Sequence, residues 1–153
     1  MTVTEIHSTL QFNQLVLQES KLVVVDYFAT WCPPCKASKP FFHKLSTSDA
    51  YRNDVVFCSV DVDEANEVAA QQGITAMPTF KVYQDGKVLA TIVGADLYQV
   101  ESLLMSKLGT SSRVLTDEDH KQMRGSPLKN VIILLALFGI LWFGVRWIFG
   151  LFK

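Results

Sequence analysis

At 153 residues the chain has room for one domain of ordinary size plus an appendage, and its 49% hydrophobic content is concentrated toward the carboxyl end. Three cysteines are too few for the disulfide scaffold of a small secreted protein. A formal net charge of −1 leaves no basic excess, and no nucleic-acid partner is expected.

The first 109 residues alternate between strand-like and helix-like patterns. A short strand over Val3 to Ile6 precedes a helix that opens on a capping box, Ser8 with Gln11, and turns Phe12, Leu15 and Val16 inward. "LVVVDYFA" is apolar on both faces, as a strand covered by helices on both sides must be. A helix then starts at the Cys-Pro-Pro-Cys stretch and runs to about Leu45, with a bend expected at Pro40, whose missing N–H removes one helical bond. The strand "VVFCSVDV" follows, then a short helix, "NEVAAQQG", capped by Asn66 and stopped by Gly73. "TFKVYQDGKVLATIV" reads as a hairpin closed at Asp85-Gly86. A last helix is capped at Asp96 and ends at Gly109. The order βαβαβαββα places the chain in the α/β class, with a mixed central sheet flanked by helices.

Residues 110–129 lack a sustained apolar period and read as a polar tether, with Asp117-Glu118-Asp119 a solvated run rather than an acidic docking site. Residues 130–152 read as a single transmembrane tail anchor. The uncharged run Val131 to Val145 reaches roughly 22 Å as a helix, short of a ~30 Å hydrocarbon core, whereas Val131 to Phe152 reaches about 33 Å. Arg146 must then snorkel toward headgroups near the distal end, with Trp142 and Trp147 seating that interface. The competing reading is a buried carboxyl-terminal helix of a soluble domain. The amino end, "MTVTEIHSTLQF", has neither the basic start nor the apolar run of a secretory signal, so synthesis in the cytosol and insertion by the tail are expected. Lys121, Arg124 and Lys129 precede the span, which favours a head facing the cytosol. The mitochondrial outer membrane, the peroxisome and the endoplasmic reticulum are not separated by these features.

Cys32 and Cys35 carry the chemistry. Half a zinc site would need a second close pair of ligands, and His7, His43, His120 and Cys58 are scattered along the chain, so no metal is expected. As a redox pair they sit where a strand ends and a helix begins, which puts Cys32 at the positive end of the helix dipole. The Cys32 thiolate would attack a substrate disulfide, and Cys35, one turn into the helix, would resolve the mixed disulfide by closing the 32–35 bridge. Pro33 and Pro34 fit the first turn, whose N–H groups have no helical partner. Each proline also removes a donor from the thiolate, and a thiolate that is only moderately stabilised makes the pair an electron donor. A protein-disulfide reductase is the expected activity.

The stretches "VVVDYFATWCPPCKASKPFFHKL", "VDVDEANEVAAQQGITAMPTF" and "DGKVLATIVGA" resemble the thioredoxin family, specifically its cytosolic eukaryotic type, over about residues 3–108. The more common family active site has glycine where this chain has Pro33, and the Pro-Pro form looks like that of some plant thioredoxins and of tryparedoxins. The resemblance implies disulfide-containing protein substrates, no cofactor beyond the cysteine pair, and electrons from a thioredoxin reductase or a glutathione system. It implies that Asp26 lies beneath the cysteines and exchanges a proton with Cys35, its pKa raised by burial in an apolar strand. Ser59 stands where bacterial relatives carry a lysine near that aspartate. A cis Met77-Pro78 bond would bring the Met77 backbone beside the cysteines to pair with an extended substrate. Trp31 would wall the dithiol and Gly94 would keep the neighbouring surface flat. Lys36 is expected to be a solvated charge and Cys58 a small buried hydrophobe. Two rival functions stay open at this point: an oxidase or isomerase facing an oxidising compartment, and a non-enzymatic membrane adaptor.

Overall fold

A computed structural model describes residues 3–123 of the chain. Five strands, β1 (Thr4–Glu5), β2 (Leu22–Phe28), β3 (Val55–Asp61), β4 (Thr79–Gln84) and β5 (Lys87–Val93), form one sheet in the order β1-β3-β2-β4-β5. β1, β3 and β2 run parallel, and β4 and β5 join antiparallel, which is the mixed sheet the element order predicts.

Strand β2 occupies the middle because it is apolar on both sides. Leu22 and Val24 enter a core with Phe42 and Leu45 of α2 (Pro33–Thr47) and Val100 and Leu104 of α4 (Leu97–Leu108). Val23, Val25 and Tyr27 point the other way, into a core with Phe12 of α1 (Thr9–Phe12) and Val68 of α3 (Asn66–Gln71). Each such side chain contributes about 1.5–3 kcal/mol by leaving water, and the period-two alternation fixes the strand's register. The same alternation carries Asp26 to the α2 side, with Leu22 and Val24.

The boundary signals act largely as expected. Ser8 accepts the Gln11 N–H at 3.3 Å, and the Gln11 side chain answers by accepting the His7 N–H at 2.8 Å, one residue upstream of the cap. α1 continues into a π-helical stretch, Asn13–Leu17. α2 runs through Pro40 and ends two residues beyond the expected Leu45. Asp85 and Gly86 both have positive φ, 49° and 73°, as the tight hairpin requires. A side chain on Gly86 would meet the Leu17 carbonyl oxygen at 2.6 Å, so the turn admits only glycine there. Asp96 caps α4 by accepting the Gln99 N–H at 3.3 Å, and Gly109 ends it in the left-handed region.

Two expectations are corrected. Asn66 does not cap α3: Ala65 holds that position without a side-chain bond, because the turn before it is already tied by Asp61, whose Oδ1 accepts the Asp63 N–H and whose carbonyl accepts the Ala65 N–H. The larger correction concerns the tether. Residues 110–123 fold onto the head, Leu115 and Met123 join the α2/α4 core, and a fifth helix, α5 (Asp117–Met123), packs against α2. The compact unit therefore extends to Met123 and not to Gly109. Nor is the acidic run merely solvated, since Asp117 accepts from Tyr98 Oη at 2.6 Å and Asp119 pairs with Lys44 at 2.7 Å. The expected span over 130–152 lies outside the described residues; among those described, no helix is long and apolar enough to cross a membrane.

Candidate active site

Strand β2 delivers the chain to the site and α2 leads it away. Cys32 is the N-cap of α2, and Pro33 and Pro34 take the first two helical positions, where their missing N–H groups leave no buried donor behind. Cys32 and Cys35 are joined as a disulfide, with their Cα atoms 5.3 Å apart. The Cys35 N–H donates to Cys32 Sγ at 3.2 Å, in the way a serine or aspartate would accept at a helix start. Both cysteines are 3% exposed, so a partner must come to the surface above them.

That surface is built by loops from three parts of the chain. Trp31 is 62% exposed, and its indole N–H donates to Asp63 Oδ2 at 2.7 Å, which fixes a large apolar face beside the disulfide. Met77 packs with Ala29, Cys32 and Cys35, and the Met77-Pro78 bond is cis. The Gly94 N–H donates to the Pro78 carbonyl at 2.7 Å, tying the third loop to the second. Gly94 has φ of +94°, and a Cβ there would meet nothing within 4 Å, so the chain is open to the outside at this point. Every residue assigned to the site from sequence lies in this surface or directly beneath it.

Asp26 lies beneath. It is 4% exposed, its Oδ1 has no hydrogen-bond partner among the described residues, and burial pushes its pKa up to about 7 against a smaller opposing pull from the Lys39 ammonium. In the sheet it stands opposite Ser59 of β3, so no lysine reaches it from that strand. A cavity of about 240 Å³ has Asp26 and Cys35 in its wall, together with Lys36 and Lys39. It is roomy enough for several waters and bordered by polar groups that would hold them. The carboxyl and the inner cysteine thus share one hydratable space.

Sequence reasoning missed Asp63 and Lys39. Lys39 was readable in part: it follows Cys35 by four residues, so it shares that helix face and extends over β2, with its ammonium 5.1 Å from the Phe28 ring. Asp63 lies on a turn 32 residues from Trp31, and no local pattern announces their bond. Cys58 is fully buried, as expected, and its thiol is pushed up to about 12 by that burial. Among the described residues, three metal-type ligands converge only at Glu5, His7 and Glu64, all exposed, and the cysteine pair has no part in that group.

The sequence matches the thioredoxin family over residues 3–106. Among curated relatives, thioredoxin-1 of Schizosaccharomyces pombe is 42% identical over 106 residues, which cover 69% of this chain and 99% of the relative. Thioredoxin of Gallus gallus is 48% identical over 86 residues, 56% of this chain and 79% of that one. Among solved structures, thioredoxin of Malassezia sympodialis superposes with a TM-score of 0.64 at 41% identity, covering 69% of this chain and 90% of its own. The match ends before α5. With a strand-to-helix disulfide, a cis X-Pro loop beside it, a buried carboxyl below and this degree of identity, the chain belongs to the thioredoxin family, whose members are protein-disulfide oxidoreductases.

Proposed function

We propose that this chain is a membrane-anchored protein-disulfide reductase in which Cys32 attacks, Cys35 resolves and Asp26 exchanges a proton with Cys35. Thioredoxins carry electrons on a cysteine pair without a cofactor, act on disulfide-containing substrates and are themselves reduced by thioredoxin reductase. In the dithiol form, the Cys32 thiolate attacks one sulfur of a substrate disulfide, a mixed disulfide forms, and the first substrate sulfur leaves and takes a proton. Cys35 then gives its proton to the Asp26 carboxylate through the shared cavity, attacks Cys32 Sγ and expels the second substrate sulfur. Two electrons pass to the substrate, and the 32–35 disulfide described here is the product state.

The observation that carries the reading is the shared cavity joining a buried carboxyl, poised near neutral pH, to the resolving cysteine. A group with that pKa can take a proton and return it at the working pH. Trp31, Pro33, Pro34, Met77, Pro78 and Gly94 form the surface on which an extended substrate segment would lie. Reductase rather than oxidase action is supported by the two prolines, which leave the Cys35 N–H as the backbone donor bonded to Cys32 Sγ. Membrane anchoring through 130–152 is supported by the uncharged run Val131 to Val145, and a head in the cytosol by the basic residues before it. The mitochondrial outer membrane, the peroxisome and the endoplasmic reticulum are the candidate sites.

A Cys35→Ser variant tests the chemistry. It should accumulate a covalent adduct with disulfide-containing proteins, released by dithiothreitol, while the native chain turns over; no adduct would overturn the assignment of Cys32 and Cys35. A redox titration that grouped the couple with strong oxidants would overturn the direction. Localisation of a fluorescent protein fused to residues 124–153 tests the anchor, and a diffuse signal would remove it.

A further inference from the structure

The segment beyond the family match is fastened to the head at several independent points. Glu101 of α4 is fully buried, and its carboxylate accepts from Tyr51 Oη at 3.2 Å, from the Leu115 N–H at 3.2 Å and from the Val114 N–H. Leu115, just before α5, and Met123, its last residue, enter the α2/α4 core. Asp119 Oδ2 accepts from Lys44 Nζ at 2.7 Å, from the Thr116 N–H at 2.7 Å and from Thr116 Oγ1 at 2.9 Å, so one carboxylate both caps α5 and pins it to α2. Tyr98 of α4 donates to Asp117 and carries Arg113 4.0 Å above its ring. Undoing this is costly, because the Glu101 carboxylate would stay buried with only the Tyr51 phenol to hold it.

Fastening changes the length of chain left free. Were residues 110–130 an open tether, they would extend to about 70 Å; with the segment docked through Met123, residues 124–130 extend to about 25 Å at most. A compact head of this size is about 35 Å across. We propose that residues 113–123 are a clasp that shortens the leash to the membrane anchor, confining the dithiol to disulfides within about 60 Å of the bilayer rather than about 105 Å. A disulfide is then a substrate only where it can enter that layer, as on proteins that span or lie against the same membrane or that diffuse freely up to it. The inference rests on the anchoring and reductase readings above.

The test uses the full chain in vesicles, alone and covered by a grafted polyethylene glycol layer thicker than this reach, with insulin as a macromolecular disulfide and dithionitrobenzoate as one small enough to enter the layer. A second chain carries twenty Gly/Ser residues inserted between Met123 and Arg124, and a third has 113–123 replaced by an equal length of Gly/Ser. On bare vesicles the native and lengthened chains should reduce insulin equally. Under the polymer the native chain should lose about ten-fold or more of its insulin rate while keeping its rate on the small disulfide, and the lengthened chain should recover most of that loss. The replaced chain should behave as the lengthened one if it folds; if it does not, the lengthened chain alone decides. Equal suppression of native and lengthened chains, or none in either, overturns the clasp. A full chain that does not float with vesicles overturns the anchoring reading and this inference with it, whereas a chain that floats but reduces no disulfide overturns the reductase reading.

Discussion

Asp26 is ionised at a cost. Burial pushes its carboxyl up to about 7 in the folded chain from an ordinary 3.8, so the folded state holds a proton that the unfolded state has already lost between those two pH values. Stability from this group is therefore greatest below about pH 4, declines as pH rises through that window, and is level above about pH 7. Asp26→Asn should raise stability by about 2–4 kcal/mol at pH 8 and by almost nothing at pH 4, measured as urea midpoints across pH. The same variant should slow release of the mixed disulfide while leaving the first attack by Cys32 largely intact, resolved by stopped-flow on a model disulfide. Equal slowing of both steps would show that Asp26 acts on the site's shape and not on its proton. Cys58 offers a simpler check: with its thiol pushed up to about 12, iodoacetamide at pH 8 should label the reduced pair and reach Cys58 only after denaturation. The burial of both side chains was visible in sequence because a lone carboxylate, or a lone cysteine, inside a β-branched run has few places to go. The Trp31-Asp63 bond was not, because it depends on where two turns meet.

The segment after α4 shows where pattern reading fails. Leu115 and Met123 are its buried apolar residues, too few and too far apart to set up a helical period, and α5 spans only Asp117–Met123. Its stability comes from tertiary partners, chiefly Glu101 and Lys44, that no local window contains. The strong elements were readable for the opposite reason. β2 is continuous in apolar character, the hairpin has its Asp-Gly turn, and α4 has Asp96 at one end and Gly109 at the other. A chain ending at Gly109, the boundary the sequence favours, should still carry the active-site geometry but lose about 3–5 kcal/mol against one ending at Met123, since the Leu115 and Met123 side chains and the bonds to Glu101 go together. Glu101→Gln in the longer chain should cost about 1–3 kcal/mol of the same stability. If the two truncations melted together in urea, the docking of 113–123 would contribute nothing to the head.

Residues up to Met123 form one compact unit that holds the disulfide, the carboxyl beneath it and the surface around it. The apolar run that follows is visible only as sequence, and its uncharged stretch of fifteen residues, Val131 to Val145, argues for lipid on composition alone. Catalysis and attachment are therefore expected to separate at the Met123-Arg124 junction. A chain ending at Met123 should reduce insulin with the rate of the full chain in detergent and match its urea midpoint within about 0.5 kcal/mol, because no part of the described core is removed. It should no longer float with phospholipid vesicles, and a fusion of residues 124–153 to an unrelated soluble protein should float in its place. Loss of insulin reduction on removing 124–153 would mean that the tail completes the head's fold, which is the buried-helix alternative, and the fusion would then stay at the bottom of the gradient. The two readings predict opposite results from the same pair of chains, because a segment that buries its apolar surface against the head has none left to bury in a bilayer.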